Sequence, residues 1–145
     1  MDVGQLRERY ERLLTMVAAE IVGDAAEVVV KLPHRGFQAR VQFTSRPEPE
    51  RTALINMSAE WTEAVFVMEP NVGIAMIDDF SVEDHDAEVY TTDRMRELVT
   101  VVNAYIRGEG SIESRRTLLG KREPRLRIQA GGKEWVAGAR QWVAH

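Results

Sequence analysis

Phe37, Ala39, Val41 and Phe43 alternate with Gln38, Arg40, Gln42 and Thr44 without a break. A period of two suits a β-strand with one apolar and one polar face, because successive side chains leave a strand on opposite sides. The apolar face has to be buried, so this stretch commits the chain to a sheet with a covering layer. Its neighbours read as further strands: Val28-Val29-Val30 before it, then Ala53–Ala59, Ala64–Met68 and Ile74–Ile77. Turn compositions separate them at Pro33-His34-Arg35-Gly36 and Pro70-Asn71-Val72-Gly73, and Pro47 and Pro49 mark a loop over Ser45–Arg51. Connections this short exclude parallel crossovers, so the sheet is predicted to be antiparallel.

The covering layer is helical. Leu6, Tyr10, Leu13, Leu14, Val17, Ala18 and Ile21 recur at helical spacing, and Gly23 is a natural stop. A second helix is predicted over Asp93–Arg107, with Thr92 as N-cap, Gly108 as stop, and Met95, Leu98, Val99, Val102, Tyr105 and Ile106 as its apolar stripe. Beyond it Arg125 and Arg127 alternate with Leu126 and Ile128, Gly131-Gly132 turns the chain, and Glu134-Trp135-Val136 completes a hairpin. The last residues, Ala137 to His145, suit either a short helix or a frayed tail. The expectation is one α+β domain over 1–145. It has an antiparallel sheet of five to seven strands, with an N-terminal helix and a second helix on one face. The other face is left to solvent, to a barrel-like curl or to a partner.

The absence of cysteine excludes disulfides, thiolate metal sites and cysteine nucleophiles. Charges interrupt the N-terminus from Asp2 onward, which does not suit a secretory leader. The apolar-rich stretches Leu98–Ile106 and Pro70–Ile77 are about half the length of a membrane span. A cytoplasmic protein without membrane contact is expected. Arginine outnumbers lysine 16 to 3, which points to a GC-rich bacterial genome.

Charge is distributed unevenly. Between Arg51 and Arg94 lie 42 residues without Lys or Arg, and they hold ten acids. The densest part is Asp78-Asp79-Phe80-Ser81-Val82-Glu83-Asp84-His85-Asp86-Ala87-Glu88, between a strand and a helix, where binding residues often sit. Residues 111 to 145 run the other way, with eight basic and three acidic residues. The bland reading is a solvated acidic loop whose charge the basic hairpin neutralises within the fold. The functional reading is a surface for a basic protein partner: Asp78, Asp79, Glu83, Asp84, Asp86 and Glu88 supply negative charge, His85 lies among them in the same tract, and Phe80, Val82 and Trp61 supply apolar anchors.

Other chemistry fits less well. Asp84-His85-Asp86 has metal-ligand residue types, but adjacent side chains on an extended segment diverge, and the spacing does not match a calcium loop. The chain has no Gly-x-Ser-x-Gly elbow, phosphate-cradling glycine loop or cofactor signature, so no catalytic residue, metal or cofactor is assigned. A nucleic-acid surface is an alternative: Arg115, Arg116, Lys121, Arg122, Arg125 and Arg127 on one wet strand face with Trp135 for stacking. The net charge of −4 disfavours it, and edge-strand protection explains the same arginines.

The helix-first, strand-rich order, the lack of catalytic motifs and the Asp78–Glu88 segment resemble the small α+β immunity proteins that bacteria encode beside secreted polymorphic toxins. That resemblance implies a non-catalytic, cytoplasmic inhibitor that plugs a toxin's active site, with acids where the toxin expects phosphate. Secretion-type chaperones resemble the same element order and imply an exposed sheet and helix that hold a segment of a secreted protein. Oligomeric state is left open.

Overall fold

The computed structural model describes residues 2–33, 35–58, 61–68, 71–77, 87–116 and 118–139. Its elements run α1 (Val3–Ile21), β1 (Ala26–Lys31), β2 (Ala39–Ser45), β3 (Thr52–Met57), β4 (Trp61–Phe66), β5 (Val72–Ile77), α2 (Ala87–Ile106), β6 (Ser111–Arg116), β7 (Arg122–Ala130) and β8 (Lys133–Ala139). The fold is α+β with an antiparallel sheet, as the sequence predicts, but among the described residues the sheet has eight strands rather than five to seven.

The strand order is β1-β2-β3-β4-β5-β8-β7-β6. β1 to β5 form a meander, α2 carries the chain across the sheet, and β6, β7 and β8 return towards the middle. Among the described residues β8 meets β5 through Val72–Ala139 and Gly73–Gly138. β1 and β6 are therefore the outer strands.

α1 begins with a reciprocal cap. Asp2 Oδ1 accepts from the Gln5 amide at 2.8 Å, and Gln5 Oε1 accepts from the Asp2 amide at 3.0 Å, so two otherwise orphan donors are satisfied. Its face of Tyr10, Leu14, Val17 and Ala18 is buried. The facing side of the sheet presents Ala39, Val41 and Phe43 from β2, Ala53, Ile55 and Met57 from β3, Phe66 from β4, and Leu126 and Ile128 from β7, each at most 1% exposed. α2 adds Met95, Leu98, Val102 and Tyr105, and the Tyr105 ring meets Phe66 edge-on at 5.0 Å. Both helices thus lie over one face and share one core.

The loop between β2 and β3 is tied to the end of α2. Arg51 Nη1 donates to the carbonyls of Tyr105 (2.9 Å) and Glu109 (3.1 Å), and its guanidinium lies 4.9 Å from the Tyr105 ring centre. The Tyr105 carbonyl, which also accepts from the Gly108 amide at 3.0 Å, belongs to the last turn of α2, where a cation is favoured, and Glu109 lies just beyond it.

Several boundaries differ from the sequence reading: β4 runs Trp61–Phe66 rather than Ala64–Met68, and β5 starts at Val72, so Val72 and Gly73 of the expected turn are strand residues. α2 starts at Ala87 instead of Asp93, so Thr92 is inside the helix, and the preceding Thr91 is buried at 7% exposure. Two adjacent threonines read locally as a cap, and tertiary burial overrides that weak preference. β6 was not placed by the sequence: Ser111-Ile112-Glu113-Ser114-Arg115-Arg116 has a single apolar residue and no alternation. Ala137–Ala139 belongs to β8 rather than to a terminal helix, while 140–145 lies outside the described residues. No helix among the described residues is long and apolar enough to cross a membrane.

Candidate interaction surfaces

The face of the sheet opposite the helices is not uniformly wet. Arg40, Asn56 and Glu63 stand directly opposite one another on β2, β3 and β4. Arg40 Nε donates to Asn56 Oδ1 at 2.8 Å, and Asn56 Nδ2 donates to Glu63 Oε1 at 2.8 Å. Asn56 is 0% and Glu63 1% exposed, and neighbouring Val65 is also buried. The carboxamide is oriented by a cation on its acceptor side and an anion on its donor side, so the row is a polarised hydrogen-bond chain.

This row corrects the acidic-surface reading in one respect. Glu63 is one of the ten acids of the basic-free segment, yet it is an internal group. Trp61 is half-buried, and its ring stands 6.0 Å from Phe37, so the proposed anchor takes part in an internal aromatic contact.

A second row crosses β6, β7 and β8. The Arg127 guanidinium donates to Glu113 Oε1 at 3.2 Å and, more closely, to Glu134 Oε1. Those bonds, Glu134 first and Glu113 second, hold Arg127 above the ordinary arginine value. Trp135 pairs with Ile128, two positions along the strand from Ala137, which is fully buried. Its Nε1 donates to the Ala130 carbonyl at 3.0 Å. Alternation sets Trp135 and Ile128 on one side of the sheet and Arg125 and Arg127 on the other. The single arginine face with a stacking tryptophan, expected in the nucleic-acid reading, is therefore not formed.

At the far end of the β6–β7 hairpin the pattern changes. Leu118 and Leu119 are 107% and 87% exposed. Arg116, Lys121 and Arg122 beside them are exposed, and Arg116 and Arg122 are directly opposite in the ladder. The cations are legible in the sequence, whereas the two leucines are not marked by it, because they sit in a turn rather than in any periodic pattern.

Of the residues predicted to bind a partner, Asp78, Asp79, Phe80, Val82, Glu83, Asp84, His85 and Asp86 lie outside the described residues. Glu88 falls near the start of α2. Among the described residues no group of three or more His, Asp or Glu side chains is placed to hold a metal ion.

Comparison with protein families, with curated proteins and with solved structures finds no match to this chain.

One recess lies between α2 and the β7–β8 turn. Its volume is about 180 Å³, and its lining includes Arg96, Glu97, Thr100, Lys133 and Trp135. Its charges are already paired: Arg96 with Glu20 at 2.6 Å, and Glu97 with Lys133 at 3.4 Å and Arg94 at 3.6 Å. The hydrogen bond to Glu20, with its charge, holds Arg96 above the ordinary value. This recess is smaller than the roughly 300 Å³ at which small-molecule pockets begin; a wider and more open one of about 490 Å³ lies along β6 and β7 between Glu109, Ser111, Arg127 and Gln129.

Proposed function

We propose that this chain is a non-catalytic protein-binding module that uses its β6–β7 hairpin as a docking finger. The observation that carries this reading is the bare Leu118–Leu119 pair at the hairpin tip, with Arg116, Lys121 and Arg122 beside it. A single exposed leucine is ordinary, but two adjacent ones framed by cations combine an apolar anchor with steering charge. Seating each leucine in a partner would contribute about 1.5–3 kcal/mol. The matching surface is an apolar cleft with an acidic rim.

A second reading, on a different surface and with a partner of opposite charge, is an immunity-type inhibitor that holds a basic toxin or effector domain on the tract from Asp78 to Glu88. Its support is the charge pattern of the sequence, ten acids and no cation over 42 residues. One experiment separates the two surfaces. The wild type, a Leu118→Ser/Leu119→Ser variant and an Asp78→Asn/Asp79→Asn/Asp84→Asn/Asp86→Asn variant are used as baits in the native host, with captured proteins identified by mass spectrometry. A partner lost only by the leucine variant supports the finger. A basic partner lost only by the acid-to-amide variant supports the inhibitor reading. Equal capture by all three baits refutes both.

A further inference from the structure

The outer strand β1 reads Ala26-Glu27-Val28-Val29-Val30-Lys31, and nothing among the described residues pairs with its outer edge. Sheet proteins usually blunt such an edge with proline, a bulge or charge; β1 has neither proline nor bulge, and its charges, Glu27 and Lys31, stand near its two ends with three valines between them. Val28 and Val29 are half-buried, Val30 is 41% exposed, and Leu32, just beyond the strand, is 79% exposed.

The backbone polarity of this edge follows from the ladder. The Arg46 amide donates to the Ala25 carbonyl at 3.1 Å, which makes that position a hydrogen-bonded pair. Antiparallel pairs alternate, so Glu27, Val29 and Lys31 turn their main-chain groups towards β2. Ala26, Val28 and Val30 turn theirs outward. Side chains alternate as well: Val28 and Val30 belong to the helix-covered side, while Glu27, Val29 and Lys31 belong to the opposite side.

We propose that β1 pairs antiparallel with β1 of a second copy of this chain, with Val29 on the two-fold axis, to form one continuous sheet through a homodimer. In this register Val28 and Val30 of one copy exchange main-chain hydrogen bonds with Val30 and Val28 of the other. Their side chains meet on the helix side, where Leu32 also gains cover. On the opposite side Glu27 of each copy stands beside Lys31 of the other. Shifting the axis to Val28 or Val30 keeps the backbone bonds but sets Glu27 and Lys31 against valine or beyond the strand. Only the Val29 axis makes the strand complementary to itself in charge.

The present environment of these two charges favours the same occupant. Glu27 and Lys31 are exposed, and neither has an ion-pair partner among the described residues. Lys31 is directly opposite Arg40 in the ladder, so two cations lie side by side. Like charges in that position are unfavourable, and a carboxylate arriving on the free side of Lys31 relieves them.

The test is sedimentation equilibrium of the full chain from about 1 to about 200 µM, a range suited to a small interface of this kind. Wild type, Glu27→Lys, Lys31→Glu, the double exchange, and Val30→Pro are compared. Each single charge change makes both symmetry-related pairs repulsive at once, and is expected to weaken the dimer about tenfold. The double exchange restores opposite charges and is expected to recover the wild-type constant. Val30→Pro removes an outward N–H without removing a bond to β2, and is expected to give a folded monomer by circular dichroism. A wild type that is monomeric throughout the range overturns the proposal. So does a dimer that Val30→Pro leaves intact, or a double exchange no tighter than its parents.

Discussion

Replacing Asn56 with alanine tests whether the polar row across β2, β3 and β4 stabilises the sheet. The carboxamide makes two hydrogen bonds, one from Arg40 and one to Glu63, both at 2.8 Å. The two losses differ in weight. Arg40 is only partly buried and can turn its guanidinium towards water, so its share is about 1 kcal/mol or less. Glu63 is 1% exposed, and its carboxylate loses a donor that water cannot easily replace. A hydrogen bond to a buried charge of this kind carries about 1.5–3 kcal/mol, so the substitution is expected to cost about 3 kcal/mol in all. For a chain of this length that lowers the melting temperature by roughly 6–12 °C. Urea unfolding followed by circular dichroism measures the loss directly, with an unchanged slope as the sign that compactness is preserved. Thr44→Ala, on the same side of β2 but without a buried charge, is the control and should stay within about 0.5 kcal/mol. If Asn56→Ala costs less than about 1 kcal/mol, the row does not hold the sheet together and its burial needs another explanation.

Arg51→Ala removes the bonds to the Tyr105 and Glu109 carbonyls and the contact with the Tyr105 ring, and should cost about 1–2 kcal/mol in urea unfolding; Arg51→Lys should recover part of it. Gly110→Ala should cost about 2 kcal/mol by the same measurement: its φ is +97°, and a Cβ there would come within 3.1 Å of Leu126 Cδ1. Burial pushes the Tyr105 phenol above its ordinary value, against the opposing pull of Arg51. The folded chain therefore keeps that proton to higher pH than the unfolded chain. Stability is complete below the unfolded value of about 10 and falls as pH rises through the folded value. Urea midpoints across that window should decline less steeply in Tyr105→Phe.

The parts legible in the sequence were those with a clean period. The alternation over Phe37–Thr44 located β2, which runs Ala39–Ser45, and its buried face, because alternation in a strand paired on both sides reflects burial directly. α1 was visible from its apolar spacing for the same reason. β6 was not visible, because an edge strand with one wet side and little packing needs no apolar pattern. The polar row was hidden for a different reason. Arg40, Asn56 and Glu63 each sit on a separate strand, and only the register brings them opposite one another. A carboxylate just before Ala64-Val65-Phe66 was a usable hint, since a charge beside a buried apolar run tends to have a partner.

Register also changes what the charge count means. Residues 111 to 145 carry an excess of five positive charges, which suggests a uniformly basic hairpin. The side chains do not distribute it that way. Arg127 is enclosed by Glu113 and Glu134, and Lys133 reaches Glu97 on α2, so the end of the hairpin nearest the β7–β8 turn is largely compensated. At the opposite end Arg116, Lys121 and Arg122 remain exposed beside Leu118 and Leu119. Positive potential and apolar surface therefore coincide at the tip, where a partner can use both at once. Exposed charges of this kind are screened within about 10 Å at 0.1 M salt. Salt should therefore slow association with an acidic-rimmed partner while leaving the dissociation rate, set by the two leucines, nearly constant. Leu118→Ser/Leu119→Ser should do the reverse, and surface plasmon resonance at two salt concentrations separates the two contributions.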